Sequence, residues 1–223
     1  MNLLENELGD LKTELMEMTS MVKEQMEKTI KAFDTFDHQL AEEVIANEKR
    51  VNGYELNIDS KCEHILALFS PVAIDLRFVL ASIKMVADLE RIGDNAEGIS
   101  SYIVRFEKPF DKELLEKLRF KEMTAAVLEM LDILVDSFEA DNTKLVRTVF
   151  AKDDFLDEIN FSANQVLGEY FKTCNDPEKI TQAIYLLTMI RKFERTGDYI
   201  TNIAEEIIFY VKAKVLKHKK NKA

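Results

Sequence analysis

The stretch LERIGDNAEGI (residues 89–99) returns as FERTGDYITNI (193–203), with 193 standing for 89 at an offset of 104 residues. Each copy sets Glu-Arg-x-Gly-Asp inside a long amphipathic pattern. Glycine within a helix costs roughly 1 kcal/mol relative to alanine, so its repetition suggests a close approach by another helix or a ligand. The neighbouring sequence repeats as well. VIANEKRVNGYELNI (44–58) aligns with VFAKDDFLDEINFSA (149–163), 149 standing for 44 at an offset of 105. Internal duplication of this kind predicts an all-α, elongated fold of two tandem three-helix bundles, over residues 1–109 and 110–223.

The apolar periodicity predicts six helices, over 3–37, 39–69, 71–106, 112–139, 143–173 and 177–214. In the first, Leu8, Leu11, Leu15, Met18, Val22, Met26, Ile30 and Phe33 step by three and four, which is one face of a helix. Ser70 is read as the N-cap of the third helix, with Pro71 in its first turn. Pro109 punctuates the passage between bundles, and Pro177 opens the last helix.

Composition agrees. Of 223 residues, 47% are hydrophobic and 32% charged, with only 6 Gly and 3 Pro to interrupt long elements. A net charge of −11 argues against nucleic acid as a partner, because a phosphate backbone needs a basic face. The exception is the lysine-rich tail KAKVLKHKKNKA (212–223), read as a solvated end. Cys62 and Cys174 have no CxxC spacing and read as reduced thiols of a cytoplasmic protein. No run of about 18 apolar residues occurs, so no membrane span is expected.

The carboxylates carry the functional reading. In the third helix Leu76, Leu80, Ile83 and Ala87 step onward to Glu90, Asp94 and Glu97, which predicts that the acids continue the core-facing stripe. In the sixth, Ile180, Ile184 and Leu187 lead through Arg191 to Glu194 and Asp198. Acids four apart lie side by side and repel, so a cation or an arginine is needed; Arg91 and Arg195 follow the two glutamates. On the second helix Glu48, Asn52, Glu55 and Asp59 share a face, matched on the fifth by Asp153 and Asp157. Antiparallel hairpins about the turns would bring Glu48 near 90–97, and Asp153 and Asp157 opposite Glu194 and Asp198. The expected metal ligands are therefore Glu48, Glu90, Asp94, Asp153, Asp157, Glu194 and Asp198. Carboxylate oxygens suit magnesium, calcium, manganese or iron. His38, His64 and His218 are scattered, which argues against a zinc site of the ordinary kind.

DLRFVLASIKMVADLERIGDNAEGI and FERTGDYITNIAEEI, in a duplicated three-helix plan, resemble the PhoU family of bacterial phosphate-signalling regulators. The resemblance covers essentially the whole chain. It implies a non-catalytic, commonly homodimeric adaptor that represses the phosphate-starvation response. Its implied partners are the PstB ATPase of the Pst phosphate transporter and the PhoR sensor kinase, with membrane association only through them. It also implies bound metal on the E(D)xxxD motifs, iron foremost, with manganese, zinc, magnesium or calcium as other candidates. Two departures weaken the first site. Asn52 stands where the family pattern has a carboxylate, and Gly98 where an Asn often follows, as Asn202 does in the second copy.

Two other readings compete. A carboxylate-bridged metalloenzyme or metal store would use the same acids, but the Glu-x-x-His pairs of di-iron bundles are missing. A purely structural protein would pair the acids with Arg91, Arg195 and Arg191. No Gly-rich phosphate loop, Ser/His/Asp set or HExxH is present, so no enzymatic activity is expected.

Overall fold

Three aspartates start helices where the sequence gives their backbone donors an acceptor. Asp37, Asp111 and Asp176 accept hydrogen bonds from backbone amides two or three residues on, with Leu40 N to Asp37 Oδ1 at 3.0 Å. A computed structural model of the chain describes residues 3–214. Among the described residues there are seven α-helices and no strand: α1 (Leu3–Thr35), α2 (His38–Phe69), α3 (Ala73–Arg105), α4 (Lys112–Lys117), α5 (Phe120–Glu139), α6 (Val149–Thr173) and α7 (Pro177–Lys212). The lysine-rich tail beyond 214 and His218 lie outside them. At 1.5 Å per residue the 36-residue α7 is about 54 Å long.

Three boundaries differ from expectation. Ser70 is not the N-cap of α3; it ends α2 in the left-handed region (φ 46°), and α3 starts at Ala73 behind Val72. The fourth predicted helix is broken, because Arg119 adopts φ 52° between α4 and α5. The fifth begins as a 3₁₀ turn, Val146–Thr148, before α6. Pro177 does sit in the first turn of α7, behind the Asp176 cap.

Helices α1, α2 and α3 pack as one bundle, and α5, α6 and α7 as another. The predicted α1 stripe is buried: Leu11, Leu15, Met18, Val22 and Met26 are all fully enclosed. Cys62 is also buried, and desolvation pushes its thiol up to about 12, as suits an inert reduced cysteine. The bundles join where α3 runs along α7 and α1 meets α5. Phe33 of α1 stacks on Phe110 and Phe120 at 5.0 and 4.5 Å between centroids, which pins the linker to the first bundle.

The α3–α7 contact places the repeats. Lys84 reaches Glu206 (2.8 Å), Asn95 donates to Thr196 (3.3 Å) and Arg105 to the Tyr185 hydroxyl (2.5 Å). Each step along α3 is thus a step back along α7. In that antiparallel register Gly93 stands level with Gly197, and the two ERxGD copies flank a local two-fold relation at the centre of the molecule.

Candidate functional site

The two glycines do the same thing in each half. A Cβ on Gly93 would meet Val51 Cγ1 of α2 at 3.2 Å; one on Gly197 would meet Leu156 Cδ1 of α6 at 2.6 Å. Val51 and Leu156 occupy equivalent places in the repeat. Each glycine therefore admits the second helix of its own bundle, and that approach sets the carboxylates of two helices against each other. Asp153 Oδ1 also lies only 2.8 Å from the Gly197 Cβ position, which places Asp153 beside the Glu194–Asp198 turn as expected.

In the first half Glu48, Glu55, Glu90 and Asp94 gather across α2 and α3. Glu90 is held above the usual carboxylate range by burial first, then by the charges of Asp94, Glu55 and Glu48, with Arg91 opposing. Glu55 is raised in the same way, by burial, then Asp59 and Asp94. Glu55 joins the expected ligands of this half; its signal in the sequence is the i, i+7 spacing from Glu48. Asn52 donates to Glu48, so the amide replacing a carboxylate holds its neighbour in place.

The acids are not on the core stripe. The buried side of α3 runs through Phe78, Val79, Ser82, Met85, Val86, Leu89, Ile92 and Ala96, while Leu80 is 41% exposed, Glu90 half-buried and Asp94 exposed. In α7, Ile184 is 53% exposed, and Glu194 and Asp198 are half-buried. The reason is that α3 and α7 each contact several helices, so they are apolar around most of their circumference. The stripe ending in acids is an outer edge of the α2–α3 and α6–α7 seams. Asp153 is the exception and is fully buried, with Asp157 half-buried one turn on.

Arg91 does not pair with Glu90. It reaches Asp88 Oδ1 at 3.4 Å and lies over the Tyr199 ring of α7 at 5.6 Å. Asp88 is buried and its carboxyl is pushed up to about 6, chiefly by desolvation, with Arg91 and a hydrogen bond from Asn202 pulling it back. Across the same interface Lys192 of α7 lies over Gly98, its Nζ 2.5 Å from the Cβ position, and desolvation lowers its pKa. Gly98, which departs from the second copy's Asn202, thus makes room for a lysine.

Hard-cation chemistry fits this donor set: oxygens only, from two facing helices, with mutual repulsion that a cation would offset. As the side chains stand, no three His, Cys, Asp or Glu residues converge as a metal cage among the described residues. His64 is exposed and tilts against Phe69, and His38 packs on Phe36, so neither belongs to a cluster. Also among the described residues, no helix is long and apolar enough to cross a membrane.

The repeat seen in the structure coincides with a family signature. The PhoU domain matches residues 15–103 and again 120–207. The chain is 33% identical over 213 residues to the phosphate-specific transport system accessory protein PhoU homolog of Aquifex aeolicus, covering 95% of this chain and 94% of that one. It is 32% identical to the accessory protein PhoU of Escherichia coli, covering 95% and 86%. The crystal structure of the phosphate transport system regulatory protein PhoU from Streptococcus pneumoniae superposes with a TM-score of 0.82 at 26% identity, over 96% of this chain and 99% of that one. PhoU from Pseudomonas aeruginosa gives 0.84 at 29%, over 94% and 99%. These relatives are named as accessory and regulatory proteins, not as enzymes. With the domain matched twice, once in each bundle, the chain belongs to the PhoU family.

Proposed function

We propose that this protein is a non-catalytic accessory regulator of phosphate transport that represses the phosphate-starvation response. In finer detail it is a cytoplasmic homodimeric adaptor. It meets the PstB ATPase of the Pst transporter and the PhoR sensor kinase, and reaches the membrane only through them. The observation that carries the reading is the doubled PhoU domain, together with relatives named as transport accessory proteins across 95% of this chain. The net charge of −11 suits basic partner faces and salt-sensitive association.

The carboxylate seams are proposed as the sites through which metal acts on this adaptor. Glu48, Glu90 and Asp94, joined by Glu55, would hold a cation in the first half; Asp153, Asp157, Glu194 and Asp198 would hold one in the second. Iron is the foremost candidate, with manganese, zinc, magnesium or calcium as others. A bound cation would supply positive charge between α2 and α3, or α6 and α7, and so favour their closest packing. The second half is the stronger site, because each half offers four acids but only the second includes a fully buried one, Asp153, whose charge gains most from a cation.

Purified protein tests the adaptor reading directly. Immobilised chain is expected to retain PstB and the cytoplasmic part of PhoR at low salt and release both as salt rises. Failure to retain either partner, by protein that is folded and dimeric, would overturn it.

A further inference from the structure

Helix α1 packs across the α2–α3 pair, and α7 lies along α3. One side of the pair is covered by neither, and it turns large apolar side chains to solvent: Leu56 of α2 is 71% exposed, and Leu80 of α3 is exposed as well. The second half repeats both. At the equivalent places Phe161 of α6 is 74% exposed and Ile184 of α7 is exposed. A single apolar residue on a surface needs no explanation, but the same two places in both repeats do. Because Val51 lies against Gly93, the antiparallel hairpin sets Leu56 level with Asp88 and Leu80 level with His64. The two leucines therefore stand about 12 Å apart along the seam, at 1.5 Å per residue. Asp59 and Glu63 of α2 fall between them.

The charge on this side is uncompensated. Burial and then the charge of Glu63 hold Asp59 above the usual carboxylate range, and burial, Asp59 and Asp94 do the same for Glu55. Among the described residues none of Glu55, Asp59 and Glu63 forms an ion pair. The second half keeps the apolar pair but not these acids: Asn160, Asn164 and Gly168 stand in their places. The open side of two antiparallel helices accepts a further helix, as in a four-helix bundle. Apolar anchors two turns apart on that helix match the spacing of Leu56 and Leu80. Unpaired acids between the anchors call for cations on it. We infer that the outer side of α2 and α3 docks a basic amphipathic helix of a partner protein, its apolar residues on Leu56 and Leu80 and its lysines or arginines facing Asp59 and Glu63. The inference rests on the adaptor reading and names the face through which the adaptor acts. Asp59 and Glu63 lie outside the proposed ligand set, so the face stays acidic with or without metal. A second copy of the chain fits poorly, because a two-fold contact through this face would set acids against acids.

Fluorescence anisotropy of the full chain at low salt tests this with a labelled synthetic helix that carries leucines two turns apart and lysines between them on the same face. A second peptide has the same residues in scrambled order. The first is expected to bind once per chain, and the scrambled one at least about tenfold more weakly. Leu56→Ser, and Asp59→Asn combined with Glu63→Gln, change side chains outside the core, so both variants keep the fold. Each is expected to weaken the peptide at least about tenfold, while Phe161→Ser leaves it unchanged. No binding at millimolar peptide, equal binding of the scrambled peptide, an equal loss from Phe161→Ser, or dissociation of a dimer by Leu56→Ser overturns the proposal. No transporter or kinase enters this assay, so a chain that fails it yet retains PstB and PhoR loses this face and keeps the adaptor reading.

Discussion

Asp153 Oδ1 of α6 lies 2.8 Å from the point where a Cβ on Gly197 of α7 would stand. The glycine is the condition for a fully buried carboxylate to reach the seam between these helices. The repeated glycine and the repeated acids of the sequence are thus one device: the first brings helices together, and the second lines the seam so formed.

Adding a methyl group separates this role from helix propensity. Gly197→Ala would gain propensity but collide with Leu156 and Asp153, both fully buried and without room to retreat. Overpacking of this kind costs about 1–3 kcal/mol, so after the propensity gain of roughly 1 kcal/mol the net effect is a loss of up to about 2 kcal/mol. Gly168→Ala, with nothing within 4 Å of its Cβ, is expected to gain about 0.5–1 kcal/mol. Urea unfolding of the two variants measures both signs; a stabilised Gly197→Ala protein would mean that the α6–α7 approach is loose.

Asp88 predicts a pH dependence. Its folded pKa is raised, to about 6, so the folded state binds the proton more tightly than the unfolded chain does. Its favourable contribution is present below the unfolded value and is lost as pH rises from about 4 through about 6. Asp88→Asn removes this loss and is expected to raise stability near pH 7, by up to about 3 kcal/mol, with little effect below pH 4. Chelator-treated protein unfolded at several pH values tests it. Destabilisation that grows as pH rises would show instead that the ion pair with Arg91 outweighs the cost of burial.

The metal assignment predicts an asymmetry. Protein purified without chelator or tag should carry metal by mass spectrometry, and Asp198→Asn should lose more of it than Asp94→Asn. Metal-free, folded wild-type protein would remove the cation from the account and leave the carboxylates as a repulsive seam. Glu90→Gln would then stabilise the protein, because its carboxyl is raised by three neighbouring acids as well as by burial.

Much of this was legible because periodicity, breakers and repetition are local signals. The α1 stripe, the Pro177 start and the pairing of Asp153 with the 194–198 turn all follow from spacing. The break at Arg119 was not legible, since no glycine or proline marks a residue that adopts φ 52°. Ser70 resembles an N-cap by type but closes the preceding helix, because the chain needs a left-handed residue there to turn. The orientation of α3 and α7 was misread for a tertiary reason. Helices that touch several neighbours are apolar nearly all round, and the stripe through Leu80 and Ile184 proved to be their exposed edge.

The most direct test of the regulatory account is a reporter for the phosphate-starvation response in bacteria lacking their own PhoU, grown with ample phosphate. This chain is expected to restore repression, and Gly197→Arg, which fills the α6–α7 seam, to fail. A reporter that stays fully induced with folded wild-type chain present, alongside the cognate PstB and PhoR, would contradict the account.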